Sequence, residues 1–122
     1  MKAGELKREA VLALDSLPIE IRRQLHNIVV VIEDRPTRNQ LSLMGLDPKT
    51  DTLYGLYEGT PLSERSSLDI ASLPDKITIF AGALADDFKD PAELREQVRI
   101  TVLHEIAHYF GIEEEALEEL GY

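Results

Sequence analysis

Asp90-Pro91-Ala92-Glu93-Leu94-Arg95-Glu96-Gln97-Val98-Arg99-Ile100-Thr101-Val102-Leu103-His104-Glu105-Ile106-Ala107-His108-Tyr109-Phe110-Gly111 is the stretch that decides the fold. Asp90 can cap a helix, Pro91 suits its first position, and Glu93 completes a capping box. No breaker intervenes before Gly111, a residue that readily takes the left-handed conformation closing a helix. Leu94, Val98, Val102, Ile106 and Phe110 step by four and make one apolar stripe. The spacing therefore predicts a long helix running to Phe110, laid by that stripe on a core.

His104 and His108 stand four apart on this helix, so both imidazoles point the same way. Each can give one nitrogen to a single ion. Glu105 reaches the same region, where it can take a proton from metal-bound water. The chain has no cysteine, so any metal must use imidazole and carboxylate. It has three histidines, and this segment holds two of them. The third, His26, lies far away in sequence and reads as a surface residue. The bland reading of the pair is two histidines near the surface of a helix. The helical context weighs against it, and so do Gly111 and Glu114 downstream.

A stable zinc site usually takes three protein ligands plus water. Gly111 stands three residues after His108 and allows a sharp turn; Glu114 comes three later. The stretch thus reads H-E-x-x-H-x-x-G-x-x-E, the spacing of the extended metzincin motif with glutamate in place of its last histidine. Glu113, Glu114 and Glu115 are consecutive; the spacing favours Glu114 as third ligand, with Glu115 next. The same acidic run can be a solvated start of a final short helix over 113–120, and that reading holds for Glu118 and Glu119.

Upstream, Leu6, Ala10, Val11 and Leu14 have helical spacing, ended by Asp15-Ser16-Leu17-Pro18. Pro18 opens a second, short helix to about Leu25. Asn27 to Glu33 is β-branched and almost wholly apolar, which predicts a central, buried strand. Residues 36–52 carry turn formers and read as loop with one helical turn. Leu53 to Glu58 reads as a strand whose Gly55 points to an irregular or edge position. Residues 59–75 form another loop, and Lys76 to Phe80 a third strand of alternating character.

At 122 residues the chain is expected to form a single domain over 1–122, with room for one modest core. Hydrophobic residues are 43% and charged residues 30%, as in globular proteins. The formal charge of −10 disfavours nucleic acid and anionic membrane as ligands. It suits solubility first and basic partners second. The polar N-terminus lacks the apolar core of a signal peptide and no run is long enough to span a bilayer, so a cytoplasmic location is expected.

The stretch Leu94 to Ile112 resembles the small bacterial zincin-like metallopeptidase domains. So do Leu14-Asp15-Ser16-Leu17-Pro18, Val29 to Pro36, and Gly55-Leu56-Tyr57-Glu58-Gly59-Thr60-Pro61-Leu62, so the resemblance covers nearly the whole chain. It implies an α+β, minimal zincin-like fold: a short mixed sheet of about three to four strands packed on a long active-site helix. The family often has aspartate at the position of Glu114. The resemblance also implies Zn2+ as cofactor, with His104, His108 and Glu114 as ligands and Glu105 as catalytic base.

In larger zincins an edge strand ahead of the active-site helix pairs with extended substrate. By order along the chain that strand would be Leu53 to Glu58, with Gly55, Leu56 and Tyr57 as substrate-binding residues. Eight residues come after Glu114, and none of them is methionine. The lower wall of a cleft is therefore expected to be missing, shallow or supplied by another molecule. The expected function is zinc-dependent hydrolysis of peptide bonds, weak or partner-dependent, on a peptide or protein substrate. The alternative is a zinc-stabilised protein-binding module without catalysis, and water or a protein ligand at the fourth zinc position distinguishes the two.

Overall fold

The computed structural model describes residues 2–23, 25, 27–59 and 74–111. In chain order these form α1 (Ala3–Asp15), α2 (Ile19–Arg22), β1 (Ile28–Glu33), α3 (Arg38–Leu43), β2 (Gly55–Glu58), β3 (Asp75–Phe80), α4 (Ala81–Asp87) and α5 (Pro91–Tyr109). The class is α+β, with a three-stranded mixed sheet in the order β1-β3-β2. β1 runs parallel to β3, Ile28 opposite Asp75 through Glu33 opposite Phe80. β2 runs antiparallel to β3, Gly55 opposite Ile79 through Glu58 opposite Lys76.

α5 matches the sequence reading closely. The Asp90 carboxylate accepts the Glu93 backbone N–H at 3.1 Å, which is one half of the expected capping box. Pro91 occupies the first turn, where its missing N–H costs nothing. Leu94, Val98, Val102 and Ile106 are buried, and Phe110 packs at the margin of the same cluster. Burial of such side chains stabilises by about 1.5–3 kcal/mol each. Gly111, just past the helix, has φ +68°, the left-handed value that its place predicts.

α1 lies on α5 and buries Leu6, Ala10 and Ala13, with Leu17 beyond its end. Val11, expected on the apolar face, is exposed; a helix turns about 100° per residue, and Ala13 completes the stripe instead. α3 carries a complete capping box: the Gln40 N–H donates to Thr37 Oγ1 at 3.0 Å and the Thr37 N–H to Gln40 Oε1 at 2.8 Å.

The strand roles differ from expectation. β1 is not central. It is an outer strand of the described sheet, with Val30 buried and Val29 40% exposed. β3 is central and buried on both faces: Ile77 and Ile79 join the helical core, while Phe80 turns to Leu56 and Ala83. A continuous apolar run marks strand propensity, but strand position depends on pairing order, which the run does not encode. β2 lies at the other edge of the described sheet, in line with its glycine. Among the described residues no helix is long and apolar enough to cross a membrane. His26, residues 60–73 of the loop expected over 59–75, and the expected final helix with Glu113, Glu114 and Glu115 lie outside the described residues.

Candidate active site

Beside the buried stripe of α5 runs a second, polar one. Gln97, Thr101, His104 and His108 are spaced four, three and four apart, so they share a face, and all four line one cavity. The rings of His104 and His108 stand 6.3 Å apart, centroid to centroid, inclined at 64°. Glu105 sits at the edge of this face, with His108 Nδ1 3.7 Å from its Oε2 and only 21% of its side chain exposed. Burial raises the pKa of the Glu105 carboxyl; His108, the Tyr57 backbone N–H that bonds it, and His104 act in the opposite direction. A carboxylate so placed is more basic than one in water, as a proton acceptor should be.

β2 reaches this helix because two glycines let it. A Cβ on Gly55 would stand 2.6 Å from Thr101 Cγ2 and 3.2 Å from the Thr78 carbonyl oxygen; a Cβ on Gly59 would run into the Tyr109 ring and hydroxyl. The strand therefore lies against α5 along its length, which brings the Tyr57 N–H to Glu105. The Tyr57 side chain anchors the arrangement from below. Its hydroxyl donates to buried Asp75 at 2.6 Å, and its ring stacks on Tyr109 with centroids 4.2 Å apart. We expect Gly55→Ala to lower stability by roughly 1–3 kcal/mol through overpacking against the Thr78 backbone and Thr101. Urea unfolding measures this; an unchanged midpoint would mean the strand does not lie so close.

Of the three residues expected at a substrate edge, each has a different place. The Phe80 N–H donates to the Tyr54 carbonyl, so with the one-to-one register Gly55 and Tyr57 turn their backbone groups away from β3. Gly55 lines the cavity with the histidines, while Leu56 packs on the opposite face of the sheet with Phe80 and lines a second cavity. Tyr57 is committed to Asp75, Tyr109 and Glu105. Thr101, Met44, Leu46 and Tyr109, which also surround the site, carry no motif that sequence reading could single out; only tertiary packing gathers them.

The donor set fits zinc as far as the described residues go. Two imidazoles on one helix face open into the same cavity, with ring centroids 6.3 Å apart, and imidazole nitrogen is a common zinc ligand. Among the described residues no cluster of three metal-ligating side chains forms, and the expected third ligand, Glu114, lies outside them. No curated protein matches the chain. Residues 25–122 match the family model described as zincin-like metallopeptidase. With that match spanning β1 to the end of the sequence, and with the H-E-x-x-H segment on the helix that the sheet packs against, the chain belongs to the zincin-like metallopeptidase family.

Proposed function

We propose that this protein is a zinc-dependent hydrolase of peptide bonds, with His104, His108 and Glu114 as zinc ligands and Glu105 as general base. The observation that carries the reading is the placement of Glu105. It is largely buried, lies between the two histidines in sequence, and faces a cavity beside the β2 edge. A bound zinc would supply positive charge that polarises a substrate carbonyl and acidifies water. Glu105 takes the proton from the attacking water and returns it to the leaving amine nitrogen. The Tyr57 N–H holds that carboxylate in place while it is ionised. By analogy with larger zincins, an extended peptide would lie along β2, whose register turns the Gly55 backbone groups away from β3.

Zinc K-edge X-ray absorption on the loaded chain tests this reading. A hydrolase keeps one position for water beside three protein ligands. Four protein ligands and no exchangeable oxygen would identify a structural site and overturn it. The same samples locate the third ligand. Glu114→Ala should weaken zinc by about 10-fold or more, on the scale by which even outer-shell partners matter. Glu113→Ala and Glu115→Ala should have smaller effects, and equal losses in all three would refute the assignment.

A further inference from the structure

β1 is an unbroken apolar run from Ile28 to Ile32, and it ends the described sheet on one side. The Asp75 N–H donates to the Asn27 carbonyl at 2.7 Å, and the parallel register runs on from there. Backbone groups alternate in direction along a strand. Asn27, Val29, Val31 and Glu33 therefore turn theirs to β3, while Ile28, Val30 and Ile32 turn theirs outward. Among the described residues nothing hydrogen-bonds to those outward groups. Exposed edges are commonly guarded by a charge, a proline or a bulge. From Ile28 to Ile32 there is no charge and no proline, the register is one-to-one, and Val29 is 40% exposed. The other edge differs, because Glu105 accepts the Tyr57 N–H of β2 and α5 packs against that strand.

We propose that β1 pairs with β1 of a second copy of this chain, antiparallel, about a twofold axis perpendicular to the sheet at Val30. The spacing of the outward residues points to a second copy. Ile28 and Ile32 lie evenly about Val30, so the same strand run backwards presents the same pattern. Val30 then meets Val30 of the second copy, and Ile28 meets Ile32 of the second copy. Each outward N–H finds a carbonyl, which water alone satisfies otherwise. The register sets Val29 opposite Val31 of the second copy, in the close pairs that exchange no backbone bonds. It sets Glu33 opposite Asn27 of the second copy, so no like charges face each other across the junction. β1 and β2 are opposite edges of the described sheet, so this pairing leaves the cavity beside Glu105 open. The inference therefore does not depend on the peptidase reading. The formal charge of −10 on each copy opposes association, and salt weakens that repulsion.

Sedimentation velocity of the full, zinc-loaded chain over a concentration series should show monomer passing to dimer. The dimer Kd should fall as salt rises from about 0.01 M to about 0.1 M, a range over which the Debye length drops from about 30 Å to about 10 Å. Val29→Lys, at an exposed site, should raise that Kd at least about tenfold, because each copy then carries an ammonium group into an apolar contact. Its circular dichroism should match the parent. The register is read separately, and the chain has no cysteine of its own to interfere. Val29→Cys and Val31→Cys chains, mixed and mildly oxidised, should form a disulfide-linked heterodimer in preference to either homodimer. The Cα separation of such a pair, about 4.5 Å, lies within the range a disulfide spans. Monomer at every concentration and salt overturns the proposal. So does a dimer that Val29→Lys leaves intact, or one in which each cysteine variant cross-links alone as fast as the mixture.

Discussion

His104→Ala and His108→Ala each lower zinc affinity by more than about a hundredfold, because even the loss of a partner outside the ligand shell costs about 10–100-fold. The two imidazoles project from one face of α5 into one cavity, 6.3 Å apart. The helix under them is fixed by Val102 and Ile106, both essentially without exposure, so neighbouring backbone cannot shift to replace a lost nitrogen. Both substitutions leave the buried stripe intact, and His108 is 66% exposed, so circular dichroism of the metal-free variants should match the parent. Competition with a chromophoric chelator at neutral pH gives the affinities. Parent-like values in both variants would mean the histidines hold no metal.

Glu105→Gln lowers peptide hydrolysis by about 10²–10⁴-fold, the usual worth of a positioned acid–base group. The amide keeps the shape of the side chain and can still accept the Tyr57 N–H, but it cannot take a proton from water. The loss should fall on kcat with KM little changed, since the carboxylate acts on the reacting atoms and adds little to ground-state binding. Zinc content should stay at the parent level, because Glu105 is not among the ligands. A variant that lost zinc along with activity would instead make Glu105 a ligand. One that kept its rate would leave the proton transfer to some other group.

The site helix is legible in the sequence because its signals are local. Asp90, Pro91, the four-residue apolar step and Gly111 each act within a turn or two of their own position. The H-E-x-x-H spacing places both imidazoles on one face for the same reason. The strands are legible as strands but not in order. The run Ile28-Val29-Val30-Val31-Ile32 looks central, whereas β3 holds the centre because both other strands pair with it. Nothing local announces α4. It spans seven residues, too few for a clear period, and starts directly after β3 where the Asp34 carbonyl accepts the Gly82 and Ala83 N–H groups. That cap comes from the end of β1, 48 residues earlier for Gly82, and no local pattern reports it. Gly55 reads as an edge glycine from sequence; that it and Gly59 leave room for Thr101 and Tyr109 depends on contacts made only in the folded chain.

Digestion of a peptide library by the zinc-loaded chain, read by mass spectrometry as new peptide termini, tests the central claim most directly. New termini should appear with the parent chain, disappear on chelation, return when zinc is restored, and be absent with Glu105→Gln. Cleavage that persists in the Glu105→Gln chain, or no cleavage of any peptide by a chain shown to hold zinc, would contradict it.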